Sequence, residues 1–133
     1  MTDTTVLYRP VGPKELGLIE RSGFREFPPR LPEQPTFYPV LTRPYAEQIA
    51  RDWNSRSAAT GFVGYVTEFE VATSFLGRYR PKQVGAAEHL EYWVPAEDLV
   101  EFNRHIVGTI RVTAEFRNGE PVAASPVGHA GGG

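Results

Sequence analysis

The order of helix-like and strand-like patterns predicts a single α+β domain with a split, largely antiparallel, twisted sheet. Several predicted strands are not followed by the crossover helix that a parallel sheet requires. The sequence also lacks the GxGxxG and GxxxxGK[ST] loops that cradle phosphates in parallel-sheet proteins. With 133 residues, the chain is long enough for one domain with a sizeable core.

The first half of the chain predicts two strand–helix pairs joined by a proline-rich loop. The predicted elements are a strand over 6–11, a helix over 13–22, an extended loop over 27–35, a strand over 36–41 and a helix over 44–54. Tyr45, Ile49 and Trp53 recur every four residues and mark the buried face of the second helix. A proline-rich loop of this length is more often functional than idle, so Arg30 and Gln34 within it are candidate ligand contacts.

The second half predicts three further strands with short helical segments between them. The predicted elements are a long strand over 62–71, one or two helical turns over 72–79, a connector or a further short strand over 80–87, a strand over 89–94 followed by a helix, and a strand over 109–116. In the last strand the inward-facing residues are predicted to be Ile110, Val112, Ala114 and Phe116. Residues 1–116 therefore form the predicted domain. Residues 117–133 have no periodicity, end in glycines, and are predicted to be a disordered tail.

The stretch 89–99 is the most informative one for function. Its strand-like half places Leu90, Tyr92 and Val94 on one face, and His89, Glu91 and Trp93 on the other. Pro95 then predicts the first turn of a helix, since proline needs no amide partner there. An imidazole, a carboxylate and an indole in a row make a poor core but a suitable site, where the carboxylate can stabilise a developing cation.

Composition excludes several classes of function. The formal net charge of −2 and the isoelectric point near 5.9 give no electrostatic reason to expect nucleic acid or an anionic membrane as a partner. The absence of cysteine excludes disulfides, thiolate catalysis and zinc sites built on cysteine. No apolar run approaches the ~20 residues of a membrane helix, and the N-terminus does not have the pattern of a signal peptide. The expected location is the cytoplasm.

Four stretches carry a family resemblance: LYRPVGPKEL (7–16), FYPV with AEQIARDWN (37–54), HLEYWVPA (89–96) and EFNRHIVG (101–108). Together they resemble the small bacterial proteins catalogued as ADP-ribosylation/crystallin-type, and through them the ADP-ribosyltransferase fold. The resemblance covers about residues 6–116. It implies NAD as a substrate and transfer of ADP-ribose, with cleavage of the nicotinamide–ribose bond, to an acceptor that the sequence does not identify. Water as the acceptor would make the protein an NAD glycohydrolase.

The resemblance also implies roles for single residues. By position, Arg9 on the first strand holds NAD, Tyr38 (or Phe37 or Tyr45) lies near the nicotinamide, and Glu91 bonds the nicotinamide ribose. These roles agree with general chemistry, since a carboxylate stabilises an oxocarbenium-like ribose and a guanidinium clamps a pyrophosphate. The predicted catalytic residues are thus Glu91, Arg9 and Tyr38. Arg9, Tyr38, Tyr45, His89 and Trp93 are the predicted ligand-binding residues.

Alternative interpretations remain at each of these positions. Arg9 can serve an ion pair, Tyr38 can be a core aromatic, and Glu91 can be a solvated carboxylate on an exposed strand face. His89 stands where transferases that modify arginine carry a second acid, which argues against arginine as the acceptor. It also supports a second hypothesis, a non-catalytic nucleotide-binding or interaction module that keeps the fold. A metal site formed by His89, Glu91 and His105 is not predicted, because His105 at a helix end already suits the helix dipole.

Overall fold

In the computed structural model, which describes residues 3–87 and 89–123, a four-stranded antiparallel sheet forms the centre of an α+β domain. The strands are β1 (Thr4–Val11), β2 (Thr36–Phe37), β3 (Val63–Ala72), β4 (Lys82–Gln83), β5 (Leu90–Glu91), β6 (Val94–Pro95), β7 (Ile106–Arg117) and β8 (Glu120–Pro121). The helices are α1 (Pro13–Arg21), α2 (Arg43–Asp52), α3 (Thr73–Leu76) and α4 (Leu99–Arg104). The central sheet has the order β1-β3-β7-β8. Two antiparallel ribbons, β2–β6 and β4–β5, complete the split sheet, and the predicted fold class is confirmed.

A single residue, Val40, connects the central sheet to β5. Its backbone exchanges two hydrogen bonds with Tyr8 of β1, at 2.8 and 2.9 Å, and forms an antiparallel bridge with Glu91 on its other side. Glu91 is therefore held beside β1, with only the width of Val40 between them. This pairing positions the candidate site.

The central sheet packs against a hydrophobic core on each of its faces. The larger core packs α1, α3 and α4 against one face and contains the fully buried phenylalanines Phe27, Phe37, Phe69 and Phe102. The smaller core packs α2 against the other face, with Ala46 and Ala50 against Val66 and Phe116. β3 therefore buries side chains on both of its faces, with Phe69 in the larger core and Val66 in the smaller one.

Gly64 allows the end of α2 to lie directly on β3. A Cβ atom at this position would meet the carbonyl oxygen of Ala50 and lie 2.7 Å from Cβ of Asn54. Because real Cβ atoms almost never approach so closely, any side chain at position 64 would displace the segment that carries Asn54. A 3₁₀ turn over Asn54–Arg56 follows α2 and packs on the same strand.

The predicted continuous strand over 89–94 is wrong. β5 pairs with β4, whereas β6 pairs with β2, and the chain changes partners between them at Tyr92 and Trp93. As a result Glu91 and Tyr92 are both buried and the alternation is interrupted. Pro95 does not begin a helix. It has extended backbone angles and pairs with Thr36, and the helical segment begins with a 3₁₀ turn at Ala96–Asp98 before α4.

Two predicted buried residues are exposed. Val112 is turned outward because an extra residue, Thr113, lies between the pairs Val66–Ala114 and Thr67–Val112, and this bulge changes which side chains face the core. Trp53 is 72% exposed, because α2 ends at Asp52 and the chain leaves the helical path at the tryptophan. The other two residues predicted on the buried face of α2, Tyr45 and Ile49, pack in the smaller core.

The folded chain also continues past the predicted domain end at residue 116. β7 extends to Arg117, and a turn through Asn118 and Gly119 leads to β8, so the predicted tail is wrong at its beginning. Residues 124–133 lie outside the described residues. Within 3–87 and 89–123, no helix is long and apolar enough to cross a membrane.

Candidate active site

Arg9 lies in the middle of β1 with its side chain turned toward α1. Its Nε donates to Oε2 of Glu15 at 2.7 Å and its Nη2 donates to Oε1 at 3.0 Å. The guanidinium also lies over the ring of Phe37, 4.8 Å from its centroid, and the residue is only 8% exposed. A bidentate pair of this kind is among the strongest polar contacts in proteins. The ion-pair interpretation of Arg9 is thus correct, and its partner was not predicted.

Glu91 is a buried carboxylate with a donor on each oxygen. The hydroxyl of Tyr45 donates to Oε2 at 3.0 Å, and Nε1 of Trp93 donates to Oε1 at 2.8 Å. With 9% exposure, the residue is not the solvated carboxylate of an open strand face. The two donors fix the plane of the carboxylate, which is the arrangement that a positioned electrostatic group requires.

Tyr45 and His89 form a stacked pair beside Glu91. Their rings lie 4.3 Å apart at an angle of 13°, and a ring nitrogen of His89 lies 3.2 Å from Oε1 of Gln48. Burial, followed by the hydrogen bond to Glu91, raises the pKa of Tyr45 to about 12. Tyr45 therefore remains a neutral donor to Glu91 throughout the physiological range.

Tyr38 and Trp93 form the exposed edge of the site. Tyr38 is 40% exposed and packs edge-on against Trp93, with ring centroids 6.1 Å apart. The alternative interpretation of Tyr38 as a core aromatic is therefore wrong. Two accessible aromatic faces beside a buried carboxylate offer a surface on which a planar group can pack.

The three predicted catalytic residues line one cavity of about 290 Å³. Its walls, which we call the Glu91 cavity, are formed by Arg9, Pro10, Tyr38, Val40, Ile49, Asn54 and Glu91. Glu91 lies at this cavity because its backbone pairs with Val40, which in turn pairs with β1. Arg9 lies there because it is part of β1. Asn54 was not predicted. Its signal in the sequence is its position directly after a helix, in a segment rich in small residues.

A second cavity of about 620 Å³ adjoins the first and is rich in cations. The cationic cavity is lined by Arg9, Lys14, Arg30 and the single acid Glu15, together with prolines of the loop over 27–35. Nε of Arg30 donates to the carbonyl oxygen of Thr36 at 3.0 Å, and burial, followed by repulsion from Arg9, lowers the pKa of Arg30. Gln34 also lines this cavity, so the proline-rich loop contributes both of its predicted ligand contacts to a concave surface.

No family model, curated protein sequence or solved structure matches this chain. The ADP-ribosyltransferase resemblance therefore remains a prediction. In the described part of the chain, no three histidine, aspartate or glutamate side chains are grouped as metal ligands. His105 instead stacks on Phe75 at 4.3 Å, and its Nδ1 donates to the carbonyl of Glu101.

The Tyr45–Glu91 hydrogen bond predicts how stability depends on pH. Since the pKa of Tyr45 is about 12 in the folded protein and near 10 when unfolded, its contribution to stability is complete below pH 10 and is lost between pH 10 and 12. At pH 8, the free energy of unfolding in urea should be lower for Tyr45→Phe than for wild type by about 1.5–3 kcal/mol, the usual contribution of a hydrogen bond to a charged group. The difference should shrink as pH rises from 10 to 12. A difference that does not change over this range would contradict the assignment.

Proposed function

We propose that the protein binds NAD and cleaves its nicotinamide–ribose bond, transferring ADP-ribose to an acceptor or to water. The observation that carries this proposal is that Arg9, Tyr38 and Glu91, which the resemblance takes from three separate stretches of the sequence, line a single cavity. Each has the chemistry that the reaction needs at one part of the substrate. The proposal then follows from what each group offers.

Glu91 supplies the negative charge that the reaction requires. When the bond between ribose C1′ and the nicotinamide nitrogen breaks, its electron pair leaves with nicotinamide, and positive charge develops on the ribose. A carboxylate held rigidly in a site sheltered from water stabilises that charge far more than one in bulk solvent. The hydrogen bonds from Tyr45 and Trp93 keep Glu91 oriented, and both partners remain neutral donors.

The cationic cavity offers a place for the pyrophosphate. It shares Arg9, Pro10 and Asn54 with the Glu91 cavity, so a single extended ligand can occupy both. Its three cations, Arg9, Lys14 and Arg30, exceed its single acid, Glu15, by two formal charges. Such an excess of positive charge favours a dianionic group. Tyr38 and Trp93 then provide aromatic faces for the nicotinamide ring.

Two measurements on the full chain test this proposal. Calorimetric titration with NAD should give saturable binding, and NAD labelled in the nicotinamide ring should release free nicotinamide in the presence of the protein and a cell extract. Unlabelled nicotinamide and ADP-ribose, added separately, serve as controls for product binding. Binding without any release across a range of acceptors would remove the enzymatic part of the proposal, and absence of binding would remove both parts.

A second candidate function is a nucleotide-binding module without catalysis. It is favoured by the bidentate Arg9–Glu15 pair, because this guanidinium is already neutralised by a carboxylate within the protein. This hypothesis predicts that the protein binds NAD and ADP-ribose with similar affinity and releases no nicotinamide. It also predicts that Glu91→Gln keeps the biological role of the protein. Release of nicotinamide that depends on Glu91 would eliminate it.

A further inference from the structure

A third concave surface lies along α2 and shares Asn54 and Thr60 with the cationic cavity. This groove has a volume of about 590 Å³, within the range of small-molecule sites. We call it the Trp53 groove. Its walls include Tyr45, Gln48, Ile49, Trp53, Asn54 and His89.

The Trp53 groove contains no fixed charge. None of its lining residues is an aspartate, glutamate, lysine or arginine, and its polar groups are amides, hydroxyls and one imidazole. A charged ligand entering it would lose hydration without gaining a counter-charge, which costs free energy. The cationic cavity has the opposite character. The groove therefore favours an uncharged ligand.

Trp53 offers this groove an open aromatic face. Its indole is the most exposed large apolar side chain in the described part of the chain, and helix α2 ends just before it. An exposed tryptophan next to side-chain amides is the combination with which proteins hold single bases, since any base has a face for stacking and an edge for hydrogen bonds. The amides are those of Gln48 and Asn54.

Asn54 also lines the Trp53 groove. Its Oδ1 is buried and has no hydrogen-bond partner among the described residues, and an unsatisfied buried acceptor costs about 1–3 kcal/mol. Because this oxygen is closed off from solvent, it does not face the Trp53 groove, and a ligand there would meet other atoms of Asn54.

We propose that the Trp53 groove binds an uncharged heteroaromatic ring of nucleobase type, stacked on Trp53 and hydrogen-bonded to the amides of Gln48 and Asn54. The ring belongs either to a separate molecule or to the adenine end of a dinucleotide that reaches over from the Glu91 cavity, with which the groove shares Ile49 and Asn54. Only the second source rests on the proposed function. Binding of the free ring does not depend on it.

Titration of the full chain with adenosine, monitored by ¹H–¹⁵N spectra, tests the groove. The indole N–H of Trp53 should shift and saturate with a dissociation constant on the order of 1 mM or lower. The indole N–H of Trp93, which is bonded to Glu91, reports separately on binding at the Glu91 cavity. If the ring belongs to a separate molecule, adenosine 5′-monophosphate should bind more weakly than adenosine, because its phosphate has no cation in the groove. If the ring is the adenine of NAD, the phosphate extends toward the cationic cavity and the order should be reversed.

Trp53→Ala should weaken adenosine binding about tenfold or more, the loss expected for one stacked base. Its fold should be retained, because the side chain is mostly exposed. Val100→Ala, at an exposed position on α4 that lines none of these cavities, is the matched control and should bind like wild type. No saturable shift at Trp53, or an unchanged affinity in Trp53→Ala, would overturn the proposal.

Competition with NAD separates the two sources of the ring. If the groove receives the adenine of NAD, adenosine and NAD exclude each other, and adenosine inhibits nicotinamide release. If the ring belongs to a separate molecule, both bind at once. Adenosine binding in a protein that neither binds nor cleaves NAD would leave the groove proposal standing while removing the proposed function.

Discussion

Glu91→Gln is expected to reduce nicotinamide release by about 10²–10³-fold, the usual loss when one preorganised electrostatic group is removed. NAD affinity should change little, because the charge of Glu91 matters most when the ribosyl cation develops and less in the bound ground state. Single-turnover release of labelled nicotinamide measures the first quantity. Calorimetry measures the second.

The fold should tolerate this substitution. A glutamine can keep its oxygen toward Nε1 of Trp93 and turn its amide N–H₂ toward the hydroxyl of Tyr45, which is able to accept as well as donate. Glu101→Gln is the matched control, since Glu101 is an exposed acid on α4 paired with Arg104. Equal release by wild type and Glu91→Gln would contradict the catalytic role. So would an equal loss in Glu101→Gln.

Arg9→Ala and Glu15→Gln are expected to change NAD binding in opposite directions. Removing Arg9 deletes a cation shared by both ligand cavities and should weaken NAD binding by about 1.5–3 kcal/mol, or roughly 10- to 150-fold. Glu15→Gln releases Arg9 from its internal carboxylate and leaves the cationic cavity with an additional net positive charge. This variant should bind NAD more tightly than wild type. Titration of NAD at low and moderate salt measures both effects.

Stability separates binding from simple loss of structure in these variants. Arg9→Ala leaves the mostly buried carboxylate of Glu15 without its partner and should lower the free energy of unfolding, so its binding must be measured where it remains folded. Arg104→Ala removes a surface ion pair and should alter neither property appreciably. Weaker NAD binding by Glu15→Gln would show that the ion pair supports the site and does not compete with the ligand.

Local patterns were sufficient to predict most of the fold. Capping residues and apolar periodicity placed α1, α2, β1, β3 and β7 to within a few residues, because each of these elements buries a regular face. The errors occur where pairing partners decide the structure. The break between β5 and β6, and the outward turn of Val112 at a bulge, both depend on neighbouring strands that are distant in sequence.

Part of the site was also predicted from local patterns in the sequence. Arg9 and Glu91 stand out as polar residues in apolar strands, and the structure brings them, with Tyr38, to one cavity. Glu15 was missed because its pairing with Arg9 requires the chain to reverse at Gly12 and Pro13. Asn54 was missed because its place in the walls of three cavities depends on how α2 packs on β3, and its position after a helix does not reveal that packing.

The missing side chain at Gly64 has a consequence for how ligands communicate. Because Gly64 lets Asn54 settle against the sheet, one residue contributes to the walls of all three cavities. A ligand that moves Asn54 in one cavity thereby reshapes the other two. Thermodynamic linkage requires that this influence be mutual, so an occupant of the Trp53 groove and an occupant of the Glu91 cavity alter each other's affinity by the same factor. The glycine thus gives three neighbouring cavities one residue through which any such coupling would pass.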